Sequence, residues 1–228
     1  MTESKREGRL LGMLLLVHFA LGLMVPYIML HPVSRAGATF VESAAAVDGT
    51  IRLSMLMLFV GSACALAIAI RLWGLVGEQR WLALLVLALG VISFTLQLLE
   101  IAHWLSLLSI SHAYASADPA GAAMLQAMAP AAYAIFRWVH YSHIFLAVLW
   151  LFSLYLAFHR TAAVPKLLSA AAMLGVPLHL VGIVLPVFAG YRMANPDMFG
   201  APLGLATLVT ALWLMWKGAG PIRPSRQT

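Results

Sequence analysis

The segment LQLLEIAHW carries Gln97, Glu100 and His103 at three-residue spacing. Residues three apart on a helix return to nearly the same face, so these side chains form one stripe. The segment FRWVHYSHIF carries a second stripe, Arg137, His140 and His143, at the same spacing, with Tyr141 and Ser142 between the histidines. Such a set suits three kinds of chemistry. Glu-x-x-His on one helix and His-x-x-His on the next offer carboxylate and imidazole ligands to a transition metal, or one imidazole from each helix to haem. Glutamate and histidine chains carry protons in membrane proteins. An arginine anchors an anionic or amphipathic molecule. A purely structural arrangement uses the same residues: Glu100 pairs with Arg137, the histidines donate to backbone carbonyls, and two helices are held together without chemistry.

The surroundings of these stripes make them expensive. The 228-residue chain is 63% hydrophobic and 10% charged, with a mean hydropathy of +0.93, whereas soluble domains have about a quarter of their residues charged. A helix needs roughly 20 mostly apolar residues to cross a hydrocarbon core of roughly 30 Å. Six segments meet that length, near Leu10–Leu30, Ile51–Val76, Trp81–Ile110, Ala132–Phe158, Lys166–Ala189 and Ala201–Trp216. They are apolar all round, which does not fit the alternating strands of an outer-membrane barrel. The opening MTESKREGR with its apolar run looks like a signal sequence, and Ala36-Gly37-Ala38 like a cleavage site. The run is about twice the length of a signal core, so an uncleaved first span is expected.

A net charge of +6 would point to nucleic acid in a soluble protein; here the cations sit at span ends, where they set topology. With the N-terminus in the cytoplasm, Lys5, Arg6, Arg9, Arg71, Arg80, Arg160, Lys166, Lys217, Arg223 and Arg226 all fall on that side. Arg35, Arg52 and Arg192 fall on the other, with Glu42, Asp48, Asp118 and Asp197. Six spans return the C-terminus to the cytoplasm. Nucleic-acid binding has no support.

Tight inner connections, Gly77-Glu78-Gln79-Arg80 and roughly 160–165, make sequential helices antiparallel neighbours. The stripes on the third and fourth spans then fall at similar depth, in the outer half of the membrane. Longer outer connections are expected over 32–50 and 111–131. In the second, Asp118 followed by Pro119 reads as an N-cap with proline in the first helical turn, opening a short helix over Gly121–Met128 that Pro130 ends. The first and fifth spans echo each other, with His18, Gly22 and Pro26 in one and His179, Gly182 and Pro186 in the other. Proline frees a carbonyl and glycine admits a neighbour, so two such helices could frame a cavity with His179 as the floor of the polar cluster.

The remaining polar residues read as structural. Cys64, the sole cysteine, is a small packing residue within the second span. His31, His112 and His159 sit at span ends, as do Trp73, Trp81, Trp104, Trp138 and Trp216, the positions of an aromatic belt. Thr207 and Thr210 are placed to bond their own helix. The sequence has no phosphate-cradling glycine loop, no H-E-x-x-H and no G-x-S-x-G, so ATP hydrolysis and serine or zinc proteolysis lack local support.

GRLLGMLLLVHFALGL opens the first span, AVPKLLSAAAMLG the fifth, and PLGLATLVTALWLMWKGAG closes the apolar part of the chain. In these stretches and their order the sequence resembles a bacterial six-helix family, domain of unknown function 4386, over nearly its whole length. The resemblance implies a polytopic bacterial inner-membrane protein. It assigns no activity and no catalytic residue.

The expected protein is all-α: one transmembrane domain over residues 1–228, six spans in a bacterial cytoplasmic membrane, both termini cytoplasmic. The expected role is small-molecule binding or permease-like transport, through an outward-facing polar pocket of Gln97, Glu100, His103, Arg137, His140 and His143. One alternative is a haem- or metal-binding redox subunit, with ligands from Glu100, His103, His140 and His143 and more remotely His18 and His179. Another is a non-catalytic assembly partner. The lipid bilayer is the expected partner in every case.

Overall fold

Apolar all-round segments must satisfy their backbone internally, and helices do so within one segment. In the computed structural model, which describes residues 3–34, 36–77, 79–188 and 196–220, the elements are accordingly helical, with no strand among the described residues. We number the long helices α1 (Glu3–Met24), α2 (Asp48–Leu72), α3 (Arg80–Ser116), α4 (Pro119–Thr161), α5 (Lys166–Phe188) and α6 (Ala201–Lys217). With the short turns that extend them, six helices are long and apolar enough to cross a membrane. Each leaves large apolar side chains on its surface, among them Leu23, Leu56, Leu84, Ile135, Leu174 and Leu205. Lipid tails are the solvent that such surfaces match.

Several boundaries differ from the sequence expectation. α3 and α4 are 37 and 43 residues long, well beyond the roughly 20 a crossing needs. The expected long connection over 111–131 shrinks to Ala117 and Asp118. Asp118 does cap the helix that follows: its Oδ1 accepts from the Gly121 N–H at 2.8 Å. Pro130, however, lies inside α4 and does not end it. Proline removes one backbone bond, and the alanine- and methionine-rich run around it, GAAMLQAMAPAAYA, favours helix strongly enough to continue. The 32–50 connection is a chain of single helical turns leading into Asp48. After α1 the backbone widens into a π-turn over Val25–Met29, with Pro26 in its first positions, whereas α5 keeps its α-helical form through Pro186. The echo between the two spans thus does not extend to backbone form.

The charge pattern is described in part. Arg35, Glu78, Ala189, Arg192, Arg223 and Arg226 lie outside the described residues, as does the side chain of Asp197.

The chain packs as two compact units. The first comprises Met1–Phe19, Ala63–Phe94 and Ile144–Thr228. Its buried side chains include Leu11, Leu72, Leu82, Trp150 and Tyr155. Here α1 crosses α6 at close range through Gly8 and Gly12. A Cβ on Gly12 would stand 2.7 Å from the Ala211 carbonyl oxygen and 2.8 Å from the Met215 nitrogen, and one on Gly8 would overlap the Ala219 backbone. Gly8-x-x-x-Gly12 is the spacing that lets membrane helices touch backbone to backbone. Tyr155 donates to Thr207 Oγ1 at 3.1 Å, and Thr207 and Thr210 bond back to Leu203 and Ala206 of their own helix.

The second unit comprises Ala20–Ser62 and Thr95–His143. Its core gathers Phe40, Val41, Ile51, Met55, Trp104, Leu108 and Phe136 with their neighbours. Trp104 is therefore core and not belt: it is 3% exposed and packs on Phe136 with ring centroids 4.6 Å apart. The extension of α3 to Ser116 carries Trp104 away from a helix end. Trp73, Trp81 and Trp216 are exposed near helix ends, as a belt requires, whereas Trp138 is exposed but lies mid-way along α4. His112 bonds Asp48 at 2.9 Å, and Asp48 also pairs with Arg52 at 2.8 Å. Ser111 Oγ donates to the Val41 carbonyl and accepts from the Ala45 N–H. These contacts tie the end of α3 to the entry of α2.

Candidate functional site

The second unit holds the polar stripes. Glu100 is 4% exposed, and among the described residues no other Asp, Glu, Lys, Arg or His side chain is buried. An isolated carboxylate at such a position costs several kcal/mol. Three N–H donors offset that cost here. His140 Nδ1 lies 2.8 Å from Oε1, His143 Nδ1 2.9 Å from Oε2, and Gln97 Nε2 3.2 Å from Oε2. Gln97 is itself buried, and its amide oxygen accepts from Ser62 Oγ at 3.4 Å. The chain of contacts runs from Ser62 on α2 through Gln97 and Glu100 on α3 to two histidines on α4.

Helical periodicity explains the local placement. Gln97 and Glu100 are one turn apart on α3, and His140 and His143 one turn apart on α4. Each pair presents both members to the facing helix, so one carboxylate meets two imidazoles, one per oxygen. Phe136, one turn before His140, stacks on its ring at 5.8 Å, and Tyr141 packs beside it at 5.8 Å. The acceptor on each Nδ1 is a carboxylate, so Nδ1 carries the proton in each ring. Nε2 is then the atom through which either ring gains or loses a proton or meets a ligand.

Two expected members stand apart. His103 Nδ1 donates to the Leu99 carbonyl of its own helix at 2.7 Å and does not bond Glu100. Arg137 is exposed and forms no ion pair among the described residues, so the anticipated Glu100–Arg137 pair is replaced by Glu100–histidine pairs. A metal centre from Glu100, His103, His140 and His143 is likewise not formed. Among the described residues no group of three or more His, Cys, Asp or Glu side chains is placed to hold a metal ion. Glu100 meets two imidazoles while His103 turns to a carbonyl of its own helix, so the four side chains do not converge on one point. His18 and His179 belong to the first unit. There His18 meets the Trp150 ring edge-on at 5.3 Å, and His179 packs against Gly200, where a Cβ would stand 3.0 Å from the imidazole. Of the histidines expected at span ends, His159 does stand in the last turn of α4, with its Nδ1 3.0 Å from Ser169 Oγ.

Sequence reasoning missed Ser62 and Phe136. Ser62, in GSACA of the second span, has small neighbours and nothing at helical spacing to mark it. Phe136 precedes His140 by four residues, an i,i+4 pair that periodicity could have flagged.

Six helices long and apolar enough to cross a membrane define the class, a multi-pass α-helical membrane protein, and among the described residues its buried carboxylate is bound by two histidines. The family model for Domain of unknown function (DUF4386) matches residues 10–218, and the chain belongs to that family. No curated protein and no solved structure matches it.

Proposed function

We propose that this chain is a small-molecule-binding or permease-like protein of a bacterial cytoplasmic membrane, both termini cytoplasmic, with Glu100, His140, His143 and Gln97 as its proton-handling or ligand-binding residues. One observation carries the reading: a buried glutamate accepts from two imidazoles at 2.8 and 2.9 Å inside a helix pair built for lipid. Intramembrane Glu and His are costly, and in membrane proteins they mark ion and substrate paths. In this mechanism Glu100 stays within reach of both rings and accepts the Nδ1 proton of each. A proton or a polar ligand group arrives at an Nε2, and the carboxylate balances the charge that forms on the ring. The inner-side excess of Lys and Arg supports the orientation. Arg137 and His103, exposed and self-bonded respectively, stand outside the core of the site.

The test is purified protein in vesicles carrying an internal pH dye, with an imposed pH gradient and a panel of amino acids, carboxylates, sugars and organic cations. Wild-type vesicles are expected to show solute-dependent proton movement that Glu100→Gln and His140→Gln/His143→Gln abolish. Equal traces from wild type, variants and empty vesicles across the whole panel would reduce the cluster to a staple between α3 and α4.

A further inference from the structure

A second built feature lies in the first unit and shares no residue with the cluster. A shallow, largely open depression of about 450 Å3 lies where the start of α1, the α4–α5 turn and the end of α6 meet. Three lysines border it: Lys5, Lys166 and Lys217. The remaining wall is backbone and apolar side chain, with Trp213 on one side.

The wall is fixed by close backbone packing. Gly218 ends α6 with φ +77°, and a Cβ there would lie 2.8 Å from the Lys5 Cα and 3.1 Å from its Cγ. The glycine therefore admits the base and stem of Lys5. The Gly220 N–H donates to the Ala163 carbonyl at 3.0 Å, which joins the end of the described chain to the α4–α5 turn. Gly218 and Ala219 are buried in consequence. Lys166 opens α5 and so stands at the positive end of that helix.

None of the three ammonium groups is neutralised by an acid among the described residues. Lys217 Nζ instead lies 4.0 Å from the centroid of the exposed Trp216 ring. Three bordering lysines without an acid partner give this depression a positive field, which favours a bound anion. The hollow sits among the ends of membrane-spanning helices and its uncharged wall is apolar, so an anion that brings its own apolar chain fits better than a free ion. Basic pockets between spanning helices take up acidic lipid headgroups on these terms.

We propose that this depression binds the phosphate of an acidic phospholipid, with Lys5, Lys166 and Lys217 as its cationic contacts. The test uses the full chain in non-ionic detergent, titrated separately with phosphatidylglycerol, phosphatidylcholine and inorganic phosphate. Bound lipid is counted by native mass spectrometry and thermal unfolding is followed in parallel. Phosphatidylglycerol is expected to bind and raise the unfolding midpoint, and phosphatidylcholine is not. Each Lys→Gln change is expected to weaken phosphatidylglycerol binding roughly fivefold. Arg80→Gln, whose guanidinium lies 5.8 Å over the Trp73 ring and outside the depression, should leave binding unchanged. Should Lys5→Gln fail to fold because of its packing on Gly218, the exposed Lys166 carries the test alone. Equal binding of the two lipids, equal weakening by Arg80→Gln and Lys166→Gln, or a full midpoint shift with inorganic phosphate would each overturn the proposal. None of these outcomes bears on the Glu100 cluster.

Discussion

His143 Nδ1 stands 2.9 Å from Oε2 of Glu100, a residue 43 positions earlier in the chain. The contact joins α3 to α4 through a carboxylate that is 4% exposed. A second imidazole, His140, holds the other oxygen at 2.8 Å. The acid is thus shared between two donors on one helix, and its removal leaves both without an acceptor.

Glu100→Gln is expected to destabilise the protein by about 2–4 kcal/mol, because a neutral amide accepts at one oxygen only and leaves a buried donor unmet. Thermal unfolding in detergent measures it. A midpoint equal to wild type would mean that the histidines find other acceptors.

His103→Ala is expected to change stability by less than about 0.5 kcal/mol, since it removes one bond between a side chain and its own helix. It should also leave any proton movement intact. A loss comparable to that of His143→Ala would place His103 in the cluster after all.

Gly12→Val is expected to separate α1 from α6 and cost about 1–3 kcal/mol, because the new Cβ would press on the Ala211 carbonyl and the Met215 nitrogen. Gly22→Val, at a position where a Cβ would meet nothing within 4 Å, is the control. The comparison is again one of unfolding midpoints.

Ala162→Gly is expected to stabilise by about 0.5–1 kcal/mol, since Ala162 holds φ +54° in the α4–α5 turn and glycine adopts that conformation without a Cβ clash. A lowered midpoint would show that the alanine methyl packs usefully against the turn.

Thiol labelling tests the orientation. In a Cys64→Ala background, Ser116→Cys is expected to react with a membrane-impermeant reagent in intact cells, and Thr161→Cys only after permeabilisation. The reverse pattern would invert the topology and set aside the charge-bias argument.

Much of the architecture was legible because it depends on local composition. Hydrophobic length alone marks the six crossings, and an Asp-Pro pair marks the cap at Asp118. Periodicity also put Gln97 with Glu100 and His140 with His143 on single faces. Helix ends were less legible. Pro130 reads as a break, yet its neighbours have enough helix propensity to carry α4 through it.

The sequence by itself determined which residues share a face, because the rise and twist of a helix are set by the backbone. It could not determine what each face meets. His103 is in phase with Glu100 yet turns to the Leu99 carbonyl, and Arg137 is in phase with His140 yet stays exposed. Glu100 takes two imidazoles in place of the guanidinium, and Ser62 joins from a third helix. Only the tertiary structure decided these partners. The rotation of each helix against its neighbour follows from the packing of the whole interface, and three-residue spacing carries no record of that rotation.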